Sequence, residues 1–374
     1  MRIAFVSYDF GEYSINHATA MADEHEVLLL LADDLGRSHE YKLASSVDYQ
    51  PFDKPRLRHP LRQISSVRCL LRKIDEFAPD VVHFQRGHLW FNWALPRLAR
   101  RYPLVVTVHD PTHHLGDSGS KKTPQRLMEY GYRSADRIIV HGEALRGACA
   151  EFGLPPAKID VVPHIAIGDR PSAPVEERDG QVLFFGRIWE YKGLDYLVKA
   201  APLIRSRVPH SKIVIAGEGD YRGYRSLIEE PHQFVILDRW ISDDERSELF
   251  MQSSVVVLPY VEATQSGVVP IAYTYAKPIV ATRTGALPEV VHDGVSGILV
   301  EPRNEAALAD AITTLLGDRS LRKKMGDSGR CLLDTVHAPR RVADQTVDVY
   351  RRAIADARGR LSPRAAVNAV AQKQ

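Results

Sequence analysis

Short apolar runs alternate with longer stretches of amphipathic spacing from one end of the chain to the other, and this alternation constrains the fold most. Runs of four to six apolar residues suit strands buried on both faces, and the longer segments between them suit helices covering a parallel sheet. In the first half the expected strands fall at residues 3–7, 27–31, 81–84, 104–109, 137–140 and 159–162. In the second they fall at 182–185, 212–216, 234–237, 255–259, 279–282 and 298–300. The expectation is therefore α/β, with two doubly wound Rossmann-like domains.

A chain of 374 residues exceeds the usual size of one domain, which agrees with two. The boundaries expected are an N-terminal domain over 1–170, a linker over 171–180 marked by Pro171 and Pro174, a second domain over 181–340, and a helix with a polar tail over 341–374. Ser242-Asp243-Asp244-Glu245 reads as a capping box at a helix start. Pro202 predicts that the helix after Gly193 kinks or begins late.

A net charge of +2 gives no global argument for a nucleic-acid partner. The three cysteines, Cys69, Cys149 and Cys331, are far apart, which speaks against a disulfide framework and a cysteine zinc site. With no signal-like apolar core and no run long enough to span a bilayer, the expected location is cytoplasmic, free or peripheral at the inner face of a membrane.

Chemistry concentrates where strands are expected to end. The run Val182-Leu183-Phe184-Phe185 stops at Gly186-Arg187, with Lys192-Gly193 close behind, and two cations at a strand's carboxyl end can hold a diphosphate. After Val255-Val256-Val257-Leu258-Pro259-Tyr260 come Glu262 and the small polar turn Gln265-Ser266-Gly267 ahead of an apolar run. Free backbone donors at such a turn could receive phosphate oxygens, and a carboxylate beside them could accept hydrogen bonds from sugar hydroxyls. Taken singly, Arg187 and Lys192 also fit an ordinary surface pair, and Glu262 a solvent-facing loop residue.

These segments resemble the donor-binding half of the retaining GT-B glycosyltransferases of family 4. The resemblance runs through Phe185-Gly186-Arg187 to Lys192-Gly193, the Gly217-Glu218-Gly219 turn, and Thr284-Gly285-Ala286-Leu287-Pro288-Glu289. It implies a GT-B fold with two domains facing across a cleft, and transfer of a sugar from a nucleotide-diphosphate sugar to a glycan, lipid-linked or small-molecule acceptor. It further implies retention of anomeric configuration without a metal or other cofactor, the donor being a substrate. Arg187 and Lys192 would stabilise the leaving diphosphate, and Gly11, Gly186, Gly217, Gln265, Ser266 and Gly267 would line the donor. Glu262 and His109, the latter in a Thr-x-His-Asp-like element, would position the sugar.

The chain departs from the family's Glu-x7-Glu motif, because Pro270 occupies the second position and the first is followed by Ala-Thr-Gln-Ser-Gly, as in a subfamily variant. That departure keeps a non-catalytic sugar-nucleotide-binding relative in view, beside a GT-B-fold isomerase. No Asp-x-Asp occurs, which argues against the metal-dependent GT-A class. His113 and His114 follow Pro111 in an expected loop and lack a glutamate at metalloprotease spacing, so they are not read as metal ligands. Finally, Lys54, Arg56, Arg58, Arg62, Arg68, Arg72 and Lys73 lie over apolar residues at helical spacing. This stretch fits either a solvated helix face or a contact for an anionic membrane or phosphorylated acceptor, its apolar side being expected in the core.

Overall fold

The computed structural model describes residues 1–85, 88–115, 124–169 and 175–358. Two units emerge, one comprising Met1–Thr112, Gly119–Ile165 and Pro339–Gln374, the other His113–Ser118 and Ala166–Ala338.

In the first unit the apolar runs form β1 (Arg2–Ser7), β2 (Glu26–Ala32), β3 (Val47–Phe52), β4 (Val81–Gln85), β5 (Leu104–Thr107), β6 (Arg137–Val140) and β7 (Ile159–Val161). They make one parallel sheet in the order β3-β2-β1-β4-β5-β6-β7. The strand order reverses between β1 and β4, which opens a crevice beyond their carboxyl ends. Leu28 to Leu31 are fully buried, as expected of a strand covered on both faces.

β3 was not expected from the sequence. Its residues Val-Asp-Tyr-Gln-Pro-Phe bury only the two ends, and Pro51 cannot donate to a ladder, both tolerable because β3 is an edge strand. The last described helix, Pro339–Arg358, packs on the helix Gly11–Met21 and on β4, β5 and β6. Its Tyr350 hydroxyl lies 2.7 Å from His83 Nδ1.

The second unit repeats the plan with β8 (Gln181–Phe185), β9 (Lys212–Ala216), β10 (Phe234–Leu237), β11 (Val255–Leu258), β12 (Ile279–Thr282) and β13 (Gly297–Val300). The order β10-β9-β8-β11-β12-β13 is again parallel, with the reversal between β8 and β11. One face buries Leu197, Val198 and Ile204 against Ile312 and Leu315; the other buries Phe250, Val269, Tyr273 and Leu287.

Three local features refine the expectations. The helix after Gly193 runs from Leu194 to Arg207 with Pro202 inside it, so of the two expected alternatives the late start is excluded. Only half of the capping box forms: Ser242 Oγ accepts from the Glu245 amide at 3.3 Å, while the Glu245 carboxylate is drawn away to Arg239. Within the segment expected to be a linker, Glu177 and Asp179 pair with the buried Arg322 of the second unit. Pro171, Pro174 and the polar tail lie outside the described residues.

From Arg62 to Lys73 the basic stretch lies in the helix Pro60–Phe77, while Lys54, Arg56 and Arg58 precede it. Leu70 and Ile74 enter the core, but Leu61 is 81% and Ile64 37% exposed, so its apolar row is not wholly committed inward. Lys54 leaves the basic face altogether, donating to the Tyr8 carbonyl and the Asp9 carboxylate at 2.6 and 2.8 Å.

Candidate active site

In the second unit the loops following β8 and β11 flank the topological switch point, where α/β sheets hold their ligands. The β8 loop contains Gly186, Arg187 and the short helical turn Glu190–Lys192. Gly193 ends that turn in the left-handed region, φ 63°, and a Cβ there would lie 2.0 Å from the Pro259 carbonyl oxygen. This close approach brings the two loops together. Gly217 serves a similar end at β9, with φ 144° and room for its neighbour's backbone, since a Cβ would meet Gly186 O at 2.2 Å.

Lys192 is buried, with its ammonium beside Gly186 and donating to the Tyr260 hydroxyl at 2.7 Å. The same ammonium is 4.5 Å from the centroid of the Tyr260 ring. Burial raises the Tyr260 pKa, opposed by the hydrogen bond with Ser266 and the charge of Arg187, so the phenol stays protonated. It can therefore accept from Lys192 and donate to Ser266 Oγ, 3.3 Å away, which in turn accepts from the Val268 amide at 3.3 Å. Arg187 is exposed and its guanidinium carbon lies 3.7 Å from the centroid of the Trp189 ring.

Glu262 sits on the β11 loop with its side chain 38% exposed. The loop backbone is fixed by Tyr191, whose carbonyl accepts from Val261 N at 2.8 Å. His114, from the short excursion grouped with this unit, is buried, with Nδ1 3.2 Å from Glu262 Oε1. Pro270 is buried in the helix Val268–Thr274, so the place of the second glutamate holds an apolar ring.

Of the residues expected in the site, Gly186, Arg187, Lys192, Gly217, Glu262, Gln265, Ser266 and Gly267 thus gather around the ends of β8, β9 and β11. Gly11 and His109 belong to the first unit. Gly11 opens the helix Gly11–Met21 just beyond β1. His109 follows β5 and is almost fully buried, its ring 4.3 Å from that of Phe10 and 5.7 Å from that of Tyr13, with Nε2 meeting the Gln85 amide. Phe10 adopts the left-handed conformation, φ 61° and ψ 57°, at a cost of about 1–2 kcal/mol for a residue with a side chain. Strain of this kind collects at functional sites.

Sequence reasoning missed Tyr260, Tyr191, Thr264 and the contact of His114 with Glu262. Tyr260 carried one usable signal, its place directly after an apolar run. The His114 partner stands 148 positions away, so no local spacing could reveal it. Among the described residues no cluster of His, Cys, Asp or Glu is arranged to hold a metal.

The two parallel-sheet Rossmann-like units define a protein of the GT-B class. Sucrose-phosphate synthase from Thermosynechococcus elongatus superimposes with a TM-score of 0.71 at 16% identity, over 95% of this chain and 99% of that one. HepE from Anabaena, crystallised in complex with UDP-glucose, gives 0.70 at 18% identity, over 94% and 99%. In sequence, residues 11–165 match the model described as "Glycosyltransferase Family 4" and residues 179–318 that described as "Glycosyl transferases group 1". A D-inositol 3-phosphate glycosyltransferase of Mycobacterium leprae is 31% identical over 74% of this chain and 70% of its own length. An uncharacterised glycosyltransferase of Methanocaldococcus jannaschii is 27% identical over 75% and 77%. The chain belongs to glycosyltransferase family 4, and it is a glycosyltransferase.

Proposed function

We propose that the protein transfers a sugar, with retention of configuration, from a nucleoside-diphosphate sugar to a hydroxyl of a glycan, lipid-linked or small-molecule acceptor. The second unit takes the donor and the first the acceptor. The observation that carries this reading is the buried Lys192, held on Tyr260 beside Gly186 at the switch point of the second sheet. A cation fixed there meets the charge that grows on the diphosphate as the glycosidic bond breaks, and needs no rearrangement to do so. Arg187 adds a second charge from the exposed side.

In this reading the acceptor oxygen bonds to the anomeric carbon while the carbon–oxygen bond to the diphosphate breaks. The diphosphate leaves with the electron pair, and one of its oxygens takes the acceptor's proton. Glu262 orients the sugar, and the Gln265 to Gly267 turn receives phosphate oxygens. No step calls for a metal. The variant motif, with Glu-Ala-Thr-Gln-Ser-Gly and Pro270, leaves ribose binding to other groups.

A thermal-shift screen over UDP, GDP, ADP and their sugars tests the donor site, since a ligand of the folded state raises the melting temperature by mass action. Proton NMR of the product then reads its anomeric configuration. Binding without transfer to any acceptor favours a non-catalytic relative, and an epimerised donor favours an isomerase.

The exposed Leu61 and Ile64 among Arg58, Arg62 and Arg68 support a further part of this reading, a peripheral contact with an anionic membrane at the cytoplasmic face. No described helix is long and apolar enough to cross a membrane.

A further inference from the structure

We infer that His114 is a positioning residue for the sugar end of the donor site, setting the Glu262 carboxylate so that it can receive two neighbouring hydroxyls. The inference rests on the reading above, in which Glu262 contacts the transferred sugar.

A half-exposed glutamate is a poor positioning device by itself, because its side chain keeps much of its rotamer freedom in water. Here both carboxylate oxygens are engaged. Oε1 faces His114 Nδ1 at 3.2 Å, and Oε2 faces the Leu115 amide at 3.4 Å. The donor of the first contact is itself held on two sides. The His114 ring stacks on Tyr191, with centroids 4.4 Å apart and planes at 18°, and Nε2 lies 3.2 Å from Thr264 Oγ1. Tyr191 also fixes the Glu262 end of the loop through its carbonyl, so one residue anchors histidine and glutamate alike.

The proton positions follow from the partners. A carboxylate only accepts, so Nδ1 carries the hydrogen; in the neutral ring Nε2 then accepts, and the Thr264 hydroxyl donates to it. The sequence Thr264 to His114 to Glu262 is a directed chain of hydrogen bonds that ends on the carboxylate. An ionised carboxyl has about four acceptor directions, and the protein uses one on each oxygen. The remaining directions, again on both oxygens, match a pair of hydroxyls on adjacent carbons of a sugar. The ligand chemistry assigned to this end of the site is therefore a vicinal diol.

The alternative is that His114 merely anchors residues 113–115 to the second unit. Two substitutions separate these roles. His114→Phe keeps a flat ring for Tyr191 and removes both nitrogens, whereas His114→Asn restores a donor near Oε1. The measurement is Kd by calorimetry for three probe pairs: UDP and UDP-glucose, GDP and GDP-mannose, ADP and ADP-glucose. The quantity of interest is the ratio of the two affinities within the pair that binds.

For His114→Phe the advantage of the sugar nucleotide over the bare nucleotide should fall ~10-fold, the scale of a lost hydrogen bond to a charged group, with the bare nucleotide unaffected. His114→Asn should recover most of it. An unchanged ratio in His114→Phe, with Glu262→Gln lowering it, overturns the role of His114 alone. An unchanged ratio in Glu262→Gln, or binding of none of the pairs, overturns the donor-site reading beneath it. Equal weakening of nucleotide and sugar nucleotide in His114→Phe, without recovery in His114→Asn, shows an anchor and refutes positioning.

Discussion

Acid should unfold the first unit through its buried histidines, and His17→Leu should make that unit more acid-resistant. His17 is buried with both ring nitrogens lacking a hydrogen-bond partner among the described residues, and its pKa is well below the ordinary value. Burial is the main cause, with His83, His141 and His164 adding to it. Burial likewise lowers His83 to about 3, with His141 contributing, and His88 to about 4, with Lys54 lowering and Asp9 partly opposing. Above about pH 6.5 these rings are neutral whether folded or not, and they cost nothing. As pH falls below that value the unfolded chain binds protons and the folded one does not, so stability is lost until the folded pKa values are reached. One pH unit below the unfolded value, each ring that stays neutral in the folded state costs on the order of 1 kcal/mol, and the three together a few kcal/mol. That is a large part of the roughly 5–15 kcal/mol that holds a typical domain. Urea unfolding between pH 5.0 and 7.5, assigned to the first unit by peptide-resolved hydrogen exchange, should show this slope. In His17→Leu the slope should fall by about 1.4 kcal/mol per pH unit, with little loss at pH 7.5 because no hydrogen bond is removed. A flat stability between pH 7 and 5.5, or an unchanged slope in the variant, refutes the reasoning.

Lys192→Ala and Arg187→Ala should each lower turnover by ~100-fold or more at saturating donor while the fold survives, the scale of a lost transition-state charge contact; near-normal turnover in both removes them from the diphosphate site. Transfer should persist in excess EDTA, and loss on chelation with rescue by Mg²⁺ or Mn²⁺ would show that a cation carries part of the charge. Replacing Arg58, Arg62 and Arg68 with glutamine should reduce sedimentation with anionic liposomes at low salt and leave nucleotide affinity alone, since such contacts act at short range and are screened. Equal sedimentation of variant and wild type marks the helix as a solvated face.

The parallel architecture was legible because each central strand is apolar on both faces, and twelve of the strands left that mark. β3 did not, since an edge strand with Asp48, Gln50 and Pro51 has little apolar pattern to show. In the site, the charges and turns were visible where strands were expected to end, Arg187 to Lys192 and Glu262 to Gly267. What could not be read was pairing across distance. Lys192 needs Tyr260, Glu262 meets His114, and Lys54 was counted with a basic face although Asp9 claims it. The capping box shows the same limit from the other side: a local rule favoured Glu245 with Ser242, and a nearby arginine offered the carboxylate two charge-assisted bonds instead.

The return of the helix Pro339–Arg358 to the first unit sets an order on biosynthesis. A ribosome releases β1 to β7 first, yet His83 finds Tyr350 only when 267 further positions of chain have been made. The residues from Ala166 to Ala338, by contrast, are nearly a complete unit as they emerge. The half translated second can thus finish folding before the half translated first. A fragment stopped at Ile165 leaves the nascent sheet without the cover that Val349, Tyr350 and Ala353 provide, an opening that chaperones or aggregation would fill.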